Sequence, residues 1–145
     1  HAIGILAKQG RGMPQSDAEA ARWMARASAG GHVPAQIEYA IMLFNGAGVA
    51  ADEDAAAKLF LAAALKGNPI AQNRIARLYQ SGRGISLDSI EAAAWHLAAR
   101  AQGLDDPVLD QLLERLTPEQ RERAANLAAT RIEGAALTTP GQTSK

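Results

Sequence analysis

Three histidines are the side chains of this 145-residue chain best suited to general-base catalysis or metal binding. No two of them stand at a metal-ligand spacing such as i, i+4, and no HExxH motif occurs. His32 follows Gly31, where a helix-capping role is expected, and His96 stands 36 residues after Phe60, which favours packing. The histidine pattern therefore predicts neither a metal site nor a catalytic base.

Glycine pairs are a second pattern that could carry chemistry, because Gly-x-Gly loops can hold phosphate groups. The pairs at 10–12, 46–48 and 82–84 lack the Lys-Ser/Thr and the preceding strand of a phosphate loop, so they are interpreted as turns. The acidic run 52–54 fits the first turn of a helix, where the helix dipole favours carboxylates. With no GxSxG motif either, we expect no cofactor, no catalytic residue and no enzyme.

Composition excludes several further classes of protein. Fifteen Lys plus Arg balance fifteen Asp plus Glu, so no basic field is available for nucleic-acid binding. There is no cysteine, and no apolar run approaches the length that membrane insertion needs. The chain is 48% hydrophobic but only 4% aromatic, with much of that share supplied by alanine, which favours closely packed helices.

The elements that position these residues repeat along the chain with a period of 36 residues. The period relates the glycine pairs to one another and also relates positions between them. One repeat position holds a large residue, at Trp23, Leu59 and Trp95. A second position holds alanine, at Ala27, Ala63 and Ala99. A third position holds the glycine that closes each unit, at Gly31, Gly67 and Gly103. Three copies in one frame indicate a repeat protein.

Each unit is predicted to form two helices, A and B. Helix A has apolar residues on one face, as at Tyr39 and Leu43, and ends at the glycine pair. Helix B starts at a capping residue, such as Asp52 or Asp88, and buries its large residue between two alanines. Trp23 and Trp95 are therefore predicted to be core residues.

Because no helical hairpin covers its own apolar faces, the units must stack. We predict an all-α fold, a right-handed α/α superhelix with repeats at about 1–32, 33–68 and 69–104. Capping helices are expected at about 106–133, where Asp106-Pro107 and Thr117 to Gln120 are helix-start signals. The domain thus covers 1–133, and 134–145 is predicted to be a flexible tail.

The pattern resembles the Sel1-like repeat family, and the resemblance covers about residues 2–104. It is carried by the residues that recur at matching positions of the units, which in the third are Ala71, Ile75, Ala76, Leu78, Tyr79, Gly82, Gly84, Ile85, Asp88, Ala92, Trp95, Ala99 and Gly103. The resemblance implies an α/α superhelix that acts as an adaptor or regulator by binding proteins. Members are often exported bacterial proteins, which favours a periplasmic or exported location over a cytoplasmic one.

In such an array the A helices line the concave face, where residues outside the core positions are available to a partner. These candidates run from apolar in the second repeat to basic and amide-bearing in the third, and they are Ile37, Glu38, Ile41, Phe44, Asn73, Arg74, Arg77 and Gln80. We expect the partner to be a protein or peptide with a hydrophobic anchor and acidic neighbours. The opposing interpretation is that these apolar residues pack against a neighbouring helix and the arginines are merely solvated.

Two other functions stay open at this point. One is a cell-envelope enzyme or ligand-binding protein of the β-lactam or cell-wall type, which the resemblance brings in through cysteine-rich relatives. This chain lacks the cysteines of those relatives. The other is a purely structural part of a longer array, since His1 begins inside a periodic segment. The oligomeric state does not follow from the sequence.

Overall fold

The structure is a computed structural model that describes residues 16–138, and all the regular elements in this range are α-helices. The seven helices are α1 (Ser16–Ala29), α2 (Val33–Asn45), α3 (Glu53–Leu65), α4 (Pro69–Ser81), α5 (Ser89–Ala101), α6 (Pro107–Arg115) and α7 (Pro118–Thr138). The predicted helix A of the first repeat, the turn at 10–12 and the residues from 139 onwards lie outside the described range.

Contacts group the chain into two compact units, one ending at Leu59 and one beginning at Phe60. Helices α1 and α2 belong to the first unit, α4 to α7 belong to the second, and the boundary falls within α3. The single domain over 1–133 that the sequence suggests stays a prediction.

The A helices begin at side-chain caps, as predicted for His32. Its Nδ1 accepts a hydrogen bond from the Ala35 backbone N–H at 3.2 Å, before α2. One repeat later, Asn68 Oδ1 accepts from the Ala71 N–H at 3.1 Å, before α4. Each cap satisfies a backbone donor that the first helical turn leaves unpaired, and a proline in that turn lacks such a donor. Capping explains His32 without any chemical role.

Glycine ends both of these helices and makes the predicted turns. Gly46 and Gly82 each adopt a φ of 73°, and their N–H groups donate to Met42 O and Leu78 O at 2.8 Å. Only glycine takes this left-handed conformation without strain from a Cβ atom. The described glycine pairs are therefore structural turns between helices A and B.

The B helices also start where the sequence predicts. Asp52 Oδ1 accepts from the Ala55 N–H at 3.0 Å, and Asp88 Oδ1 accepts from the Glu91 N–H at 3.0 Å. Thr117 and Gln120 form a reciprocal capping box ahead of α7, with hydrogen bonds of 3.1 and 2.9 Å. These caps fix the register of each helix relative to the turn before it.

Alanine forms much of the core, so the helices approach closely. In the second unit, α5 packs against α4 and α7 through five completely buried alanines, Ala92, Ala93, Ala94, Ala98 and Ala99. Trp95 is only 1% exposed, which confirms the prediction that it is a core residue. The same prediction for Trp23 is wrong, because 43% of Trp23 is exposed. Helix α7, which lies beyond the third repeat, helps to bury Trp95. The repeat position of a residue therefore does not by itself determine whether the residue is buried.

The last helix is longer than the sequence suggests. Helix α7 continues to Thr138, so the prediction of a flexible tail is wrong for 134–138. Ala135 is buried, and a Cβ atom placed on Gly67 would lie only 3.0 Å from the Ala135 Cβ, so the end of α7 is held by packing. Ala128 and Ala135 stand 36 residues after Ala92 and Ala99, so α7 continues the B-helix pattern.

Candidate functional site

Helix α4 carries four of the residues that the sequence predicts for partner binding. Its buried face consists of Ala71, Gln72, Ile75, Ala76 and Leu78. The predicted residues lie off this face, since Arg74 and Arg77 are exposed while Asn73 and Gln80 are half-buried. The exposed side of α4 is therefore polar and basic, as predicted for the third repeat.

Two of these four residues already bind a carboxylate of the same chain. Arg77 donates from Nε to Asp106 Oδ2 at 2.7 Å and from Nη2 to Asp106 Oδ1 at 2.9 Å. Asn73 Nδ2 donates to Asp106 Oδ2 at 2.8 Å. This bidentate arrangement is the strong form of an arginine–carboxylate contact. Asn73 and Arg77 therefore attach α4 to the start of α6, and partner binding by these two residues stays a prediction.

Asp106 serves two helices at once. Its Oδ1 also caps α6 by accepting from the Val108 N–H at 3.1 Å and the Leu109 N–H at 3.4 Å. Burial of the carboxyl opposes its ionisation, but the hydrogen bonds from Arg77 and Asn73 and the Arg77 charge outweigh burial and lower the pKa of Asp106. Asp106 is thus held as a carboxylate by the surface predicted to bind acidic groups.

The polar groups of the Arg74 and Gln80 side chains have no partner within the described residues. Within residues 16–138 neither side chain makes a hydrogen bond or an ion pair, and Arg74 is exposed. Arg77 retains an exposure of 51% beside it despite its contact with Asp106. Ile70, one turn before Arg74, is 49% exposed. An isoleucine and two arginines at i, i+4 and i+7 form one exposed stripe, here called the α4 stripe.

The predicted residues of the second repeat lie on α2, in the first unit. Ile37 is buried, so the expectation that it meets a partner is wrong. The buried face of α2 is wider than the sequence suggests, because Gln36 and Ile37 both join it alongside Ala40. Glu38, Ile41 and Phe44 are half-buried, so only part of each is available to a partner.

Sequence reasoning missed Asp106 as a partner for α4. It recognised the residue only as the start of a capping helix. The available signal was a difference between repeats, since Asn73 and Arg77 stand 36 residues after Ile37 and Ile41. A polar pair at positions that are apolar one repeat earlier indicates that the third repeat meets a different neighbour.

His96 is fully buried, and its packing role is joined by a hydrogen bond. His96 Nε2 lies 2.7 Å from Asp110 Oδ1 on α6, and Arg100 Nη1 donates to the same oxygen at 2.9 Å. The hydrogen bond from His96, and then that from Arg100, hold the pKa of Asp110 below its ordinary value. This cluster ties α6 to α5.

Metal sites and membrane-spanning helices are two further features that bear on function. Among the described residues, no group of three or more His, Asp or Glu side chains is placed to hold a metal ion. Within 16–138, none of the helices combines the length and apolarity needed to cross a membrane.

Comparison with protein-family models matches Sel1 repeats at residues 1–32, 33–68 and 69–104. A search of functionally curated proteins gave no match. Two similar solved structures confirm the predicted all-α repeat fold and carry the Sel1 name or the Sel1-like repeat (SLR) fold.

The first is c5321, a protective antigen present in uropathogenic Escherichia coli strains that displays an SLR fold. It has a TM-score of 0.83 and 27% identity over 92% of this chain. The second is a Sel1 repeat protein from Oxalobacter formigenes, with a TM-score of 0.67 and 32% identity over 80% of this chain. The chain spans only 29% and 33% of the lengths of these two proteins.

Proposed function

The chain belongs to the Sel1 repeat family, and on that premise we propose that it is a non-enzymatic adaptor whose α4 stripe binds an acidic segment of a partner protein. Sel1 repeat proteins are generally protein-interaction modules and are typically not enzymes. The partner and its binding face are the parts that this proposal adds.

The observation that supports the proposal is the unpaired Arg74. Its guanidinium is exposed and makes no ion pair within the described residues. Binding a carboxylate of a partner therefore does not require an existing ion pair to break. Arg77, three residues on, is paired with Asp106, so Arg74 is the arginine of the α4 stripe whose charge has no partner within the described residues. Asp106 itself demonstrates the chemistry, because a carboxylate is already bound on this helix.

Ile70 gives the α4 stripe an apolar end. It is 49% exposed and one turn before Arg74, so a partner residue can bury apolar surface there while an acidic residue meets Arg74. In the first unit, the partly exposed Glu38, Ile41 and Phe44 of α2 are proposed separately as a contact region for a partner protein. A helix-lined surface of this kind binds through a few anchors.

Selection from a random peptide library displayed on phage tests the proposal. The native chain should enrich peptides with acidic residues next to an aliphatic one, and Arg74→Glu should lose this enrichment. Arg123→Glu is the matched control, because Arg123 is an exposed arginine on α7 and makes the same change of charge. Enrichment that is equal for all three proteins, or an absence of acidic peptides, would overturn the proposal.

A further inference from the structure

The first turn of α6 is attached to the Arg77 end of the α4 stripe. Asp106 Oδ1 accepts hydrogen bonds from Arg77 Nη2 at 2.9 Å and from the Val108 N–H at 3.1 Å. Because both donors share one oxygen, Val108 lies beside the Arg77 guanidinium. Asn73 binds the other oxygen of the same carboxylate at 2.8 Å, so the position of Val108 relative to α4 is fixed.

Val108 and Ile70 are aliphatic residues that are exposed to a similar extent. Val108 is 48% exposed, and Ile70, at the other end of the α4 stripe, is 49% exposed. Each stands two residues after the capping residue of its helix, Asp106 for α6 and Asn68 for α4. An exposed aliphatic side chain therefore lies at each end of the α4 stripe, one from α4 and one from α6.

The charge that lies between these two aliphatic residues is that of Arg74. Its side chain is exposed, stands one turn after Ile70, and makes no hydrogen bond or ion pair within residues 16–138. The charge of Arg77, by contrast, is balanced by Asp106. A carboxylate is therefore the group that complements this surface, which consists of Ile70, Arg74 and Val108 and is here called the α4–α6 surface.

The length of the α4–α6 surface favours a helical partner over an extended one. Ile70 and Arg77 are seven residues apart on α4, which is about 10 Å along the helix, and Val108 lies beside Arg77. A second helix presents its residues i, i+4 and i+7 on one side over the same length. An extended segment covers this length in about three residues, and its residues i and i+3 point to opposite sides.

We propose that the α4–α6 surface binds a helix of a partner protein on which an acidic residue lies between two aliphatic residues, one turn from each. The acidic residue meets Arg74, and the aliphatic residues meet Ile70 and Val108. Anchors at i, i+4 and i+7 are a recurrent mode of helix recognition. This inference rests on the proposed function, to which it adds the contribution of α6 and the conformation of the partner segment.

An alanine-based peptide stapled as a helix, with leucine at i and i+7 and glutamate at i+4, is the probe. Two related peptides each replace one leucine by alanine, and a third carries the glutamate at i+2, on the opposite side of the helix. Fluorescence anisotropy gives the Kd of each peptide for the full chain and for Ile70→Ala, Val108→Ala and Arg74→Glu. Ile132→Ala is the matched control, because Ile132 is an exposed aliphatic residue on α7.

Val108→Ala and Ile70→Ala should each weaken binding of the probe about fivefold, because each removes an apolar contact, and Ile132→Ala should leave the Kd within about twofold. The two aliphatic residues should couple to different leucines. The effect of Val108→Ala should therefore vanish with one of the singly changed peptides, and that of Ile70→Ala with the other. Arg74→Glu, or moving the glutamate to i+2, should weaken binding about tenfold.

The results separate failure of this inference from failure of the proposed function. If Arg74→Glu loses the acidic library peptides but the helical probe does not bind, the helical partner is wrong and the proposed function stands. The same holds if Val108→Ala couples to neither leucine, or if both aliphatic residues couple to the same leucine. If Arg74→Glu changes the binding of no acidic peptide, the proposed function itself is wrong, and this inference is wrong with it.

Discussion

Arg77 on α4 and Asp106 at the start of α6 form a bidentate ion pair, with N–O distances of 2.7 and 2.9 Å. The Asp106 side chain is only 2% exposed, whereas Arg77 is half-exposed. The third repeat therefore holds the C-terminal helices through the same chemistry that we propose for its partner. Arg77 is fixed by this contact, which leaves Arg74 as the arginine of the α4 stripe that can be changed without loosening α6.

Removing the Asp106 carboxylate should destabilise the chain. Asp106→Ala loses both the ion pair and the cap of α6, and we expect a loss of about 2 kcal/mol in the free energy of unfolding. Asp106→Asn keeps a good capping residue and should lose only about 1 kcal/mol. Urea unfolding measures both. Asp105→Ala is the control at an exposed neighbouring position and should stay within about 0.5 kcal/mol of the native chain.

The same carboxylate makes stability depend on pH. Because folding lowers the pKa of Asp106, its contribution is complete above the ordinary carboxyl pKa of 3.8 and is lost as the pH falls through the lower folded-state pKa. The difference in unfolding free energy between the native chain and Asp106→Asn should therefore shrink from about pH 6 to about pH 2. A difference that is constant over this range would show that Asp106 does not gain its charge-dependent stability from Arg77.

Alanine substitutions at two glycines test the contact that holds the end of α7. Gly67 and Gly103 have similar positive φ values, 98° and 94°, so alanine strains the backbone equally at both. A Cβ on Gly67 meets the Ala135 Cβ at 3.0 Å, whereas a Cβ on Gly103 meets nothing within 4 Å. Gly67→Ala should therefore lower the melting temperature more than Gly103→Ala. Adding Ala135→Gly should restore part of the difference, and equal effects of the two changes would contradict the packing of α7 described above.

Arg131 should be the main polar attachment of α7. Arg131→Ala removes its contacts with Glu91 and Trp95 and leaves the partly buried carboxylate without its partner, so we expect a loss of about 2 kcal/mol. Hydrogen exchange of α7 amides should accelerate more than that of α4 amides. Arg123→Ala, at an exposed position of the same helix, should change neither, and a uniform effect on all helices would contradict a local attachment.

The helices and their caps could be predicted from the sequence because their causes are local. His32, the glycine pairs and the Thr117 to Gln120 box act within a few residues of themselves, so residue type and spacing suffice. The repeated pattern allowed the rest of the fold to be predicted, because residue types shared by three copies stand out from the irregularities of any one copy.

The candidate site could be predicted only in part. Whether a side chain is exposed and free to contact a partner depends on neighbours that are distant in sequence. Arg77 was placed correctly on the exposed side of α4, but its contact with Asp106 spans 29 residues and has no local signal. Trp23 and Trp95 share a repeat position, yet Trp23 is 43% exposed and Trp95 is 1% exposed with the Arg131 guanidinium of α7 over its ring. Ile37 joined the core because the buried face of α2 is wider than its apolar pattern indicates.

The binding of one acidic peptide to the α4 stripe tests the central claim most directly. A fluorescent peptide taken from the selection is titrated against the native chain, Arg74→Glu and Arg123→Glu, and its anisotropy gives each Kd. We predict that Arg74→Glu weakens binding about tenfold or more, and that Arg123→Glu leaves the Kd within about twofold. A charge-reversed peptide should in turn prefer Arg74→Glu. Equal Kd values for the native chain and Arg74→Glu would contradict the account.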